Sequence, residues 1–347
     1  MTTSTSNLVD GRVRAYGQFI IAIFYYFLAR LIAHHGAIGL SNPLWAPIVE
    51  QTMLVFLLLL GFAGLGFSLN RQIHPLTAQG LPHRQGWEGE VGSGVALGWG
   101  MALVCVAALA VGGGIAIRLS TQLSSWVWLA VDATFFALMA LAEEIAFRGY
   151  AFQRFARGLG TAGATLGFAV FYAFMQATQT GSNRASIAVS FVLSLLLTTA
   201  YLRTRALWLS WGLNFAWKAT RALLFGLAVN GMNNHSPVIE GNPMGPFWLT
   251  GGGYGLDASW VAFLVILAAI PLLLHITNDL NYRYNAPEIV AGGIAVDLDA
   301  ASRRQHEAAM GPAEPVAPTL VQIVPLAAAP NPTETEPPET NSGNELP

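Results

Sequence analysis

An all-α, polytopic membrane protein of about eight transmembrane helices with both termini cytoplasmic is predicted by three observations. Of 347 residues, 54% are hydrophobic and only 10% are charged, where a soluble domain carries roughly a quarter charged residues, and mean hydropathy is +0.49. Eight stretches meet or approach the ~20 apolar residues that a helix needs to cross about 30 Å of hydrocarbon. Arginine is distributed unevenly between the connecting loops, as orientation in a bilayer requires.

The elements follow in chain order. Residues 1–17 are rich in Ser and Thr, carry Arg12 and Arg14, and read as a cytoplasmic segment. The first span, 18–39, is too long for a signal-peptide core and lacks an obvious small-residue cleavage site, so it is expected to act as its own insertion signal. The second, 46–68, contains Gly61-Phe62-Ala63-Gly64, a spacing suited to close helix packing. The third, 93–117, holds the single cysteine, Cys105, which excludes an internal disulfide and reads as a packed thiol. The fourth, 125–147, runs apolar from Trp126 to Ala142 and then turns charged. Spans at 160–178, 185–202, 205–228 and 258–277 complete the membrane domain, 18–280, with Gly158-Leu159-Gly160 at the start of the fifth suited to close helix packing and Trp45, Trp126, Trp128 and Trp260 as interfacial anchors. His34, His35, His235 and His275 fall near span ends or in a loop and read as interfacial side chains.

An inside amino terminus places Arg12, Arg14, Arg71, Arg84, Arg148, Arg154, Arg157, Arg203, Arg205, Arg283, Arg303 and Arg304 on the cytoplasmic side and leaves only Arg118 and Arg184 outside. Beyond about Asn285 the character changes. No aromatic residue follows Tyr284, and nine prolines fall in the last 37 residues, so 281–347 is predicted to be a disordered Pro/Glu-rich cytoplasmic tail that buries too little surface to offset its ordering entropy. Net charge is −2, which gives no basis for a nucleic-acid partner.

Chemistry concentrates in Ala142-Glu143-Glu144-Ile145-Ala146-Phe147-Arg148, two carboxylates and a guanidinium at the end of an apolar run. Ionised groups at bilayer depth persist only when paired or functional. Glu144 and Arg148 are spaced i,i+4 and pair on one helix face, whereas Glu143 points about 100° away and needs a different neighbour. The sole lysine of the chain, Lys218, lies in the middle of another apolar run, with Arg221 one turn later. A carboxylate left uncompensated there costs several kcal/mol, so Lys218 is expected to pair with Glu143; the alternative is an ammonium that snorkels to an interface.

Glu143-Glu144-x-x-x-Arg148 resembles the first motif of the CPBP family, the CAAX protease and bacteriocin-processing (ABI) intramembrane endopeptidases. Three further stretches fall in the family's order over about 90–277: Tyr172-Ala173-Phe174-Met175-Gln176 before Gly181, the run Leu207 to Lys218, and Gly245 to Gly252 followed by Tyr254 to Ser259. The CPBP-like core spans about 125–228. The resemblance implies a helical membrane metalloendopeptidase in which the first glutamate activates water and two histidines and an asparagine complete a polar or metal-binding site. Glu143, Glu144 and Arg148 match that pattern and are the catalytic candidates if the site is active. Gln176 and Asn214 stand where the family usually has histidine, and Lys218 where it has asparagine.

Those departures remove the imidazoles that bind zinc and act as bases near neutral pH. No metal site and no cofactor are therefore expected; zinc or another divalent cation enters only if the divergent site still accepts one, through amide oxygens beside Glu143. Three readings stay open. The favoured one is a non-catalytic binding or regulatory member that holds a hydrophobic peptide or partner membrane protein. The alternative is an active endopeptidase with Glu143 as base and Gln176 and Asn214 as weak oxyanion or water-positioning donors. A transporter lined by Glu143, Lys218 and Arg221 is the third. The expected partners are the lipid bilayer and an apolar peptide or membrane protein, and the expected location is a bacterial inner (plasma) membrane.

Overall fold

The computed structural model describes residues 2–120, 122–232 and 238–279, together with the residue pairs 289–290 and 293–294. Helices dominate: α1 (Thr2–Leu40), α2 (Ala46–Asn70), the single turn α3 (Pro75–Ala78), α4 (Trp87–Gly112), strand β1 (Ile115–Leu119), α5 (Leu123–Arg148), α6 (Tyr150–Leu159), α7 (Thr161–Ala177), α8 (Arg184–Thr204), α9 (Leu207–Ala219), strand β2 (Ile239–Pro243), the short α10 (Phe247–Thr250) and α11 (Trp260–Ile276). Among the described residues, five helical segments are long and apolar enough to cross a membrane: 11–40, 46–70, 87–112, 123–159 and 184–204. The chain is an integral membrane protein with a helical scaffold. A separate unit, 287–347, contributes only the paired dipeptides Ile289–Val290 and Gly293–Ile294 to the description. The tail expected from 281 onward otherwise lies outside the described residues, as does His235.

Local chemistry explains where the helices start and stop. Pro47 sits in the first turn of α2, where its missing N–H costs nothing. Asn183 and Ser186 form a reciprocal cap on α8: the Asn183 side chain accepts from the Ser186 N–H at 3.0 Å, and the Ser186 hydroxyl from the Asn183 N–H at 2.9 Å. Ser259 caps α11 by accepting from the Val261 N–H at 3.1 Å. Gly149 breaks the chain direction between α5 and α6, and a side chain there would collide with the Ile145 carbonyl.

Two expected spans end early. The third stops at Gly112, because Gly113 and Gly114, the latter at φ 94°, unwind the chain. It continues as β1, which pairs antiparallel with β2, Ile115 opposite Pro243 and Leu119 opposite Ile239. This small ribbon is an addition to the all-helical expectation. The seventh leaves α-helix at Ala219 and passes through one π-turn, Thr220–Leu224, a rare geometry that recurs at functional sites.

One apolar core joins α4, α8, α9 and α11 around Leu193, Leu213 and Trp217; another joins α1, α2, α5, α6 and α7 around Phe62, Phe147 and Phe168. Helix α4 packs closely against α9. There Gly94 and Gly98 of α4 and Gly212 of α9 let the backbones touch: a Cβ on Gly98 would lie 3.0 Å from the Ala216 Cβ. This is the small-residue contact that membrane helices use in place of a hydrophobic driving force. Of the glycines expected to serve such packing, Gly61 faces the Tyr25 ring and Gly158 the Tyr16 ring, whereas Gly64 and Gly160 face open space.

Two of the arginines counted toward orientation, Arg148 and Arg154, are buried within the protein, 0% and 1% exposed.

Candidate functional site

Where α5 meets α9, the last turns of α5 supply Glu143, Glu144 and Arg148, and α9 supplies Asn214 and Lys218. Glu144 is fully buried and takes two donors on Oε1, Arg148 Nη1 at 3.0 Å and Asn214 Nδ2 at 3.0 Å. The Arg148 Nη2 reaches on to the Ser194 hydroxyl of α8 at 3.3 Å. Glu143 is oriented differently, as its 100° offset requires. Its Oε2 accepts from the Lys218 ammonium, from Asn214 Nδ2 at 2.9 Å and from the Tyr172 hydroxyl at 3.4 Å.

The Lys218 side chain is 2% exposed and is turned inward to the acid, so it does not snorkel. Asn214 bridges the two carboxylates through one amide nitrogen, since only the NH2 end can face two acceptors; its Oδ1 is buried without a partner among the described residues. Two acids and two cations thus form a charge-balanced cluster. The spacing of 214 and 218, one turn on a single helix, delivers the amide and the ammonium to the same face.

Gln176 is not part of this cluster. It donates to Asn230 Oδ1 at 3.0 Å and to the Tyr254 hydroxyl, tying α7 to the segment that precedes α11. Burial raises the Tyr254 hydroxyl above the usual phenol range, which leaves it neutral and able to accept.

A second buried ion pair adjoins the first. Arg221, in the π-turn, lies 2.8 Å from Asp257 Oδ1 and stacks 4.1 Å above the Trp217 ring. Asp257 also accepts from the Trp217 indole N–H at 3.3 Å and the Asn230 backbone N–H at 3.1 Å. Sequence reasoning did not assign Asp257 a role. The available signal was its isolation, as the sole acid between Glu240 and Asp279 with an unpaired intramembrane arginine needing a counter-charge. Tyr172 and Ser194 also escaped assignment, because nothing in a hydroxyl's sequence position marks the helix it faces.

A cavity of about 590 Å³ opens in front of Glu143, between α1, α2, α5 and α7. Glu143 and Gln176 line it; Glu144, Arg148, Asn214 and Lys218 do not. Its walls are mostly apolar, with Phe135, Met139, Phe147, Met175 and Met232, and its rim carries Arg30 and the His34–Glu50 pair, whose Nδ1 and Oε2 are 3.0 Å apart.

The residues present do not fit a zinc ion. Among the described residues no imidazole bonds to the cluster, Asn214 presents a nitrogen donor instead of an oxygen, and an ammonium sits on the oxygen that a metal would share. Among the described residues no group of three or more His, Cys, Asp or Glu side chains could hold a metal ion.

Residues 122–220 match the family model described as type II CAAX prenyl endopeptidase Rce1-like. The matched segment is α5 to α9, the part of the chain that builds the Glu143–Lys218 cluster, and it agrees with the CPBP resemblance carried by Glu143, Glu144 and Arg148. No curated protein and no solved structure matches the chain.

Proposed function

We propose that this CAAX-protease-like membrane protein is a non-catalytic binding or regulatory member of its group, which holds an apolar peptide or a segment of a partner membrane protein in the cavity before Glu143. The observation that carries the reading is the Lys218 ammonium on Glu143 Oε2. That oxygen also accepts from Asn214 Nδ2 and the Tyr172 hydroxyl, so three donors occupy it. Water activation needs a base oxygen that is open to take the proton of the attacking water. No cofactor takes part in this reading. The cavity suits the proposed ligand: three methionines, Met139, Met175 and Met232, give its wall an adaptable apolar surface. Eight spans, cytoplasmic termini and a bacterial inner membrane complete the proposal, supported by the five long apolar helical segments and by the uneven distribution of arginine along the sequence.

One observation favours the alternative of a working endopeptidase. Glu143 does line the cavity, so a bound peptide could approach its second oxygen.

The test is a cleavage assay with the full-length protein in membranes, offering apolar and prenylated peptides to wild type and Glu143→Ala, with metal analysis of the purified protein. The expected result is peptide retention without cleavage and no stoichiometric metal. Cleavage that disappears in Glu143→Ala would overturn the proposal in favour of the protease.

A further inference from the structure

A second cavity, of about 410 Å³, lies where the start of α1, the end of α2 and α6 meet. Four arginines line it, Arg14, Arg71, Arg154 and Arg157, and no acidic side chain among the described residues does. We propose that this cavity binds a phosphate-bearing anion, supplied either as the headgroup of an anionic phospholipid or as a soluble phosphate.

Arg154 carries the argument. It is 1% exposed, yet among the described residues its only hydrogen bond is a long one, 3.4 Å from Nη1 to Gln18 Oε1. Its Nε and Nη2 find no partner among those residues. Around it the polar network is neutral and already committed: Asn70 Nδ2 donates to the same Gln18 oxygen at 3.2 Å, and the Tyr150 hydroxyl donates to Asn70 Oδ1 at 2.8 Å. The guanidinium stands 5.1 Å over the Tyr150 ring, which offers a weak attraction and no counter-charge. The other fully buried cations, Arg148, Lys218 and Arg221, each face a carboxylate. A buried guanidinium without one is unstable unless an anion comes from outside.

The rest of the cavity is arranged for such an anion. Arg14 donates to the Leu69 carbonyl at 2.7 Å, which fixes its stem against the end of α2 while leaving other donors of its fork free to turn inward. Arg71 closes α2 in the left-handed region, at φ 51°. Glycine would serve that cap with less strain; arginine there brings a side chain to the cavity. Arg157 is one turn beyond Arg154 on α6. Four planar donor forks and no lysine suit a tetrahedral oxyanion, which guanidinium binds in bidentate fashion. The position, at the end of the α1–α2 hairpin, is where a headgroup would lie beside a span that begins near Gly11.

The experiment reconstitutes the full-length protein in nanodiscs of phosphatidylcholine or of an equimolar phosphatidylcholine–phosphatidylglycerol mixture, and adds millimolar inorganic phosphate to the first. Melting temperature and native mass spectrometry of retained lipid are the readouts. Wild type should melt about 4 °C higher with the bound anion. A rise with phosphatidylglycerol and retained lipid adducts assigns the headgroup; a rise with inorganic phosphate in neutral lipid assigns a soluble anion. Arg154→Gln, and separately Arg71→Gln with Arg157→Gln, should weaken the response about tenfold. The second variant changes only exposed side chains and decides the matter if the first does not fold. Arg118→Gln, on β1, is the charge-matched control and should respond as wild type does. No response of the wild type to either anion, or an equal loss in Arg118→Gln, would overturn the site.

Discussion

Two buried charge clusters of this protein differ in one respect, and the difference separates two kinds of site. Between α5 and α9, Glu143 and Glu144 meet Lys218 and Arg148, with Asn214 bridging the acids, and the charges cancel. Between α1, α2 and α6, Arg154 is equally buried among neutral amides and other arginines, and nothing described cancels it. A balanced cluster satisfies itself and resists being opened. An unbalanced one is complete only with a group the chain does not supply. The acids and the arginine of the first cluster are therefore its least available residues, while the second carries no motif and has unmet demand.

This contrast can be broken in graded steps, each read by thermal or denaturant unfolding in neutral-lipid nanodiscs. The largest effect should come from Arg221→Met, which strands Asp257, 4% exposed, and should cost about 4 kcal/mol. Lys218→Met follows at about 3 kcal/mol, because Glu143, with 18% of its side chain exposed toward the cavity, recovers some hydration. Arg30→Met, at an exposed position on the cavity rim, should cost under about 0.5 kcal/mol. Adding Glu143→Gln to Lys218→Met should return about 1–3 kcal/mol as the coupling between the two; strictly additive losses would show that the pair is not the unit described. Asn214→Ala removes one donor from each acid and should cost about 2 kcal/mol. Arg154→Gln should show the opposite sign, a gain of up to about 1 kcal/mol when no anion is present. A loss comparable to that of Lys218→Met would mean that Arg154 is already balanced and would erase the comparison.

How much of this was legible in the sequence depends on the kind of residue. Helical stretches followed from runs of apolar residues, and their early endings at Gly112 and Ala219 did not, because a glycine run or a π-turn is chosen by what the next segment packs against. The Glu144–Arg148 pair followed from i,i+4 spacing within one helix. The pairing of Glu143 with Lys218 also followed, since a lone lysine and a lone uncompensated acid in apolar surroundings leave each other few choices. Gln176 was expected beside Glu143 and instead bonds Asn230 and Tyr254; a neutral amide accepts many partners, so its motif position did not fix its neighbours. The Gly94–Gly98 contact with α9 passed unnoticed among 36 glycines, because small residues signal close packing without naming the partner.

Composition and spacing alone determined that the chain is a helical membrane protein with two acids and a cation on one helix end. Both are local properties, fixed by hydration cost and helix period. Only the tertiary structure decided which helix brings a counter-charge to which acid, that Asp257 answers Arg221, and that Arg154 meets no carboxylate among the described residues. Burial and distance arise from how helices far apart in the chain pack, and a charge becomes costly or useful only once that packing has removed its water.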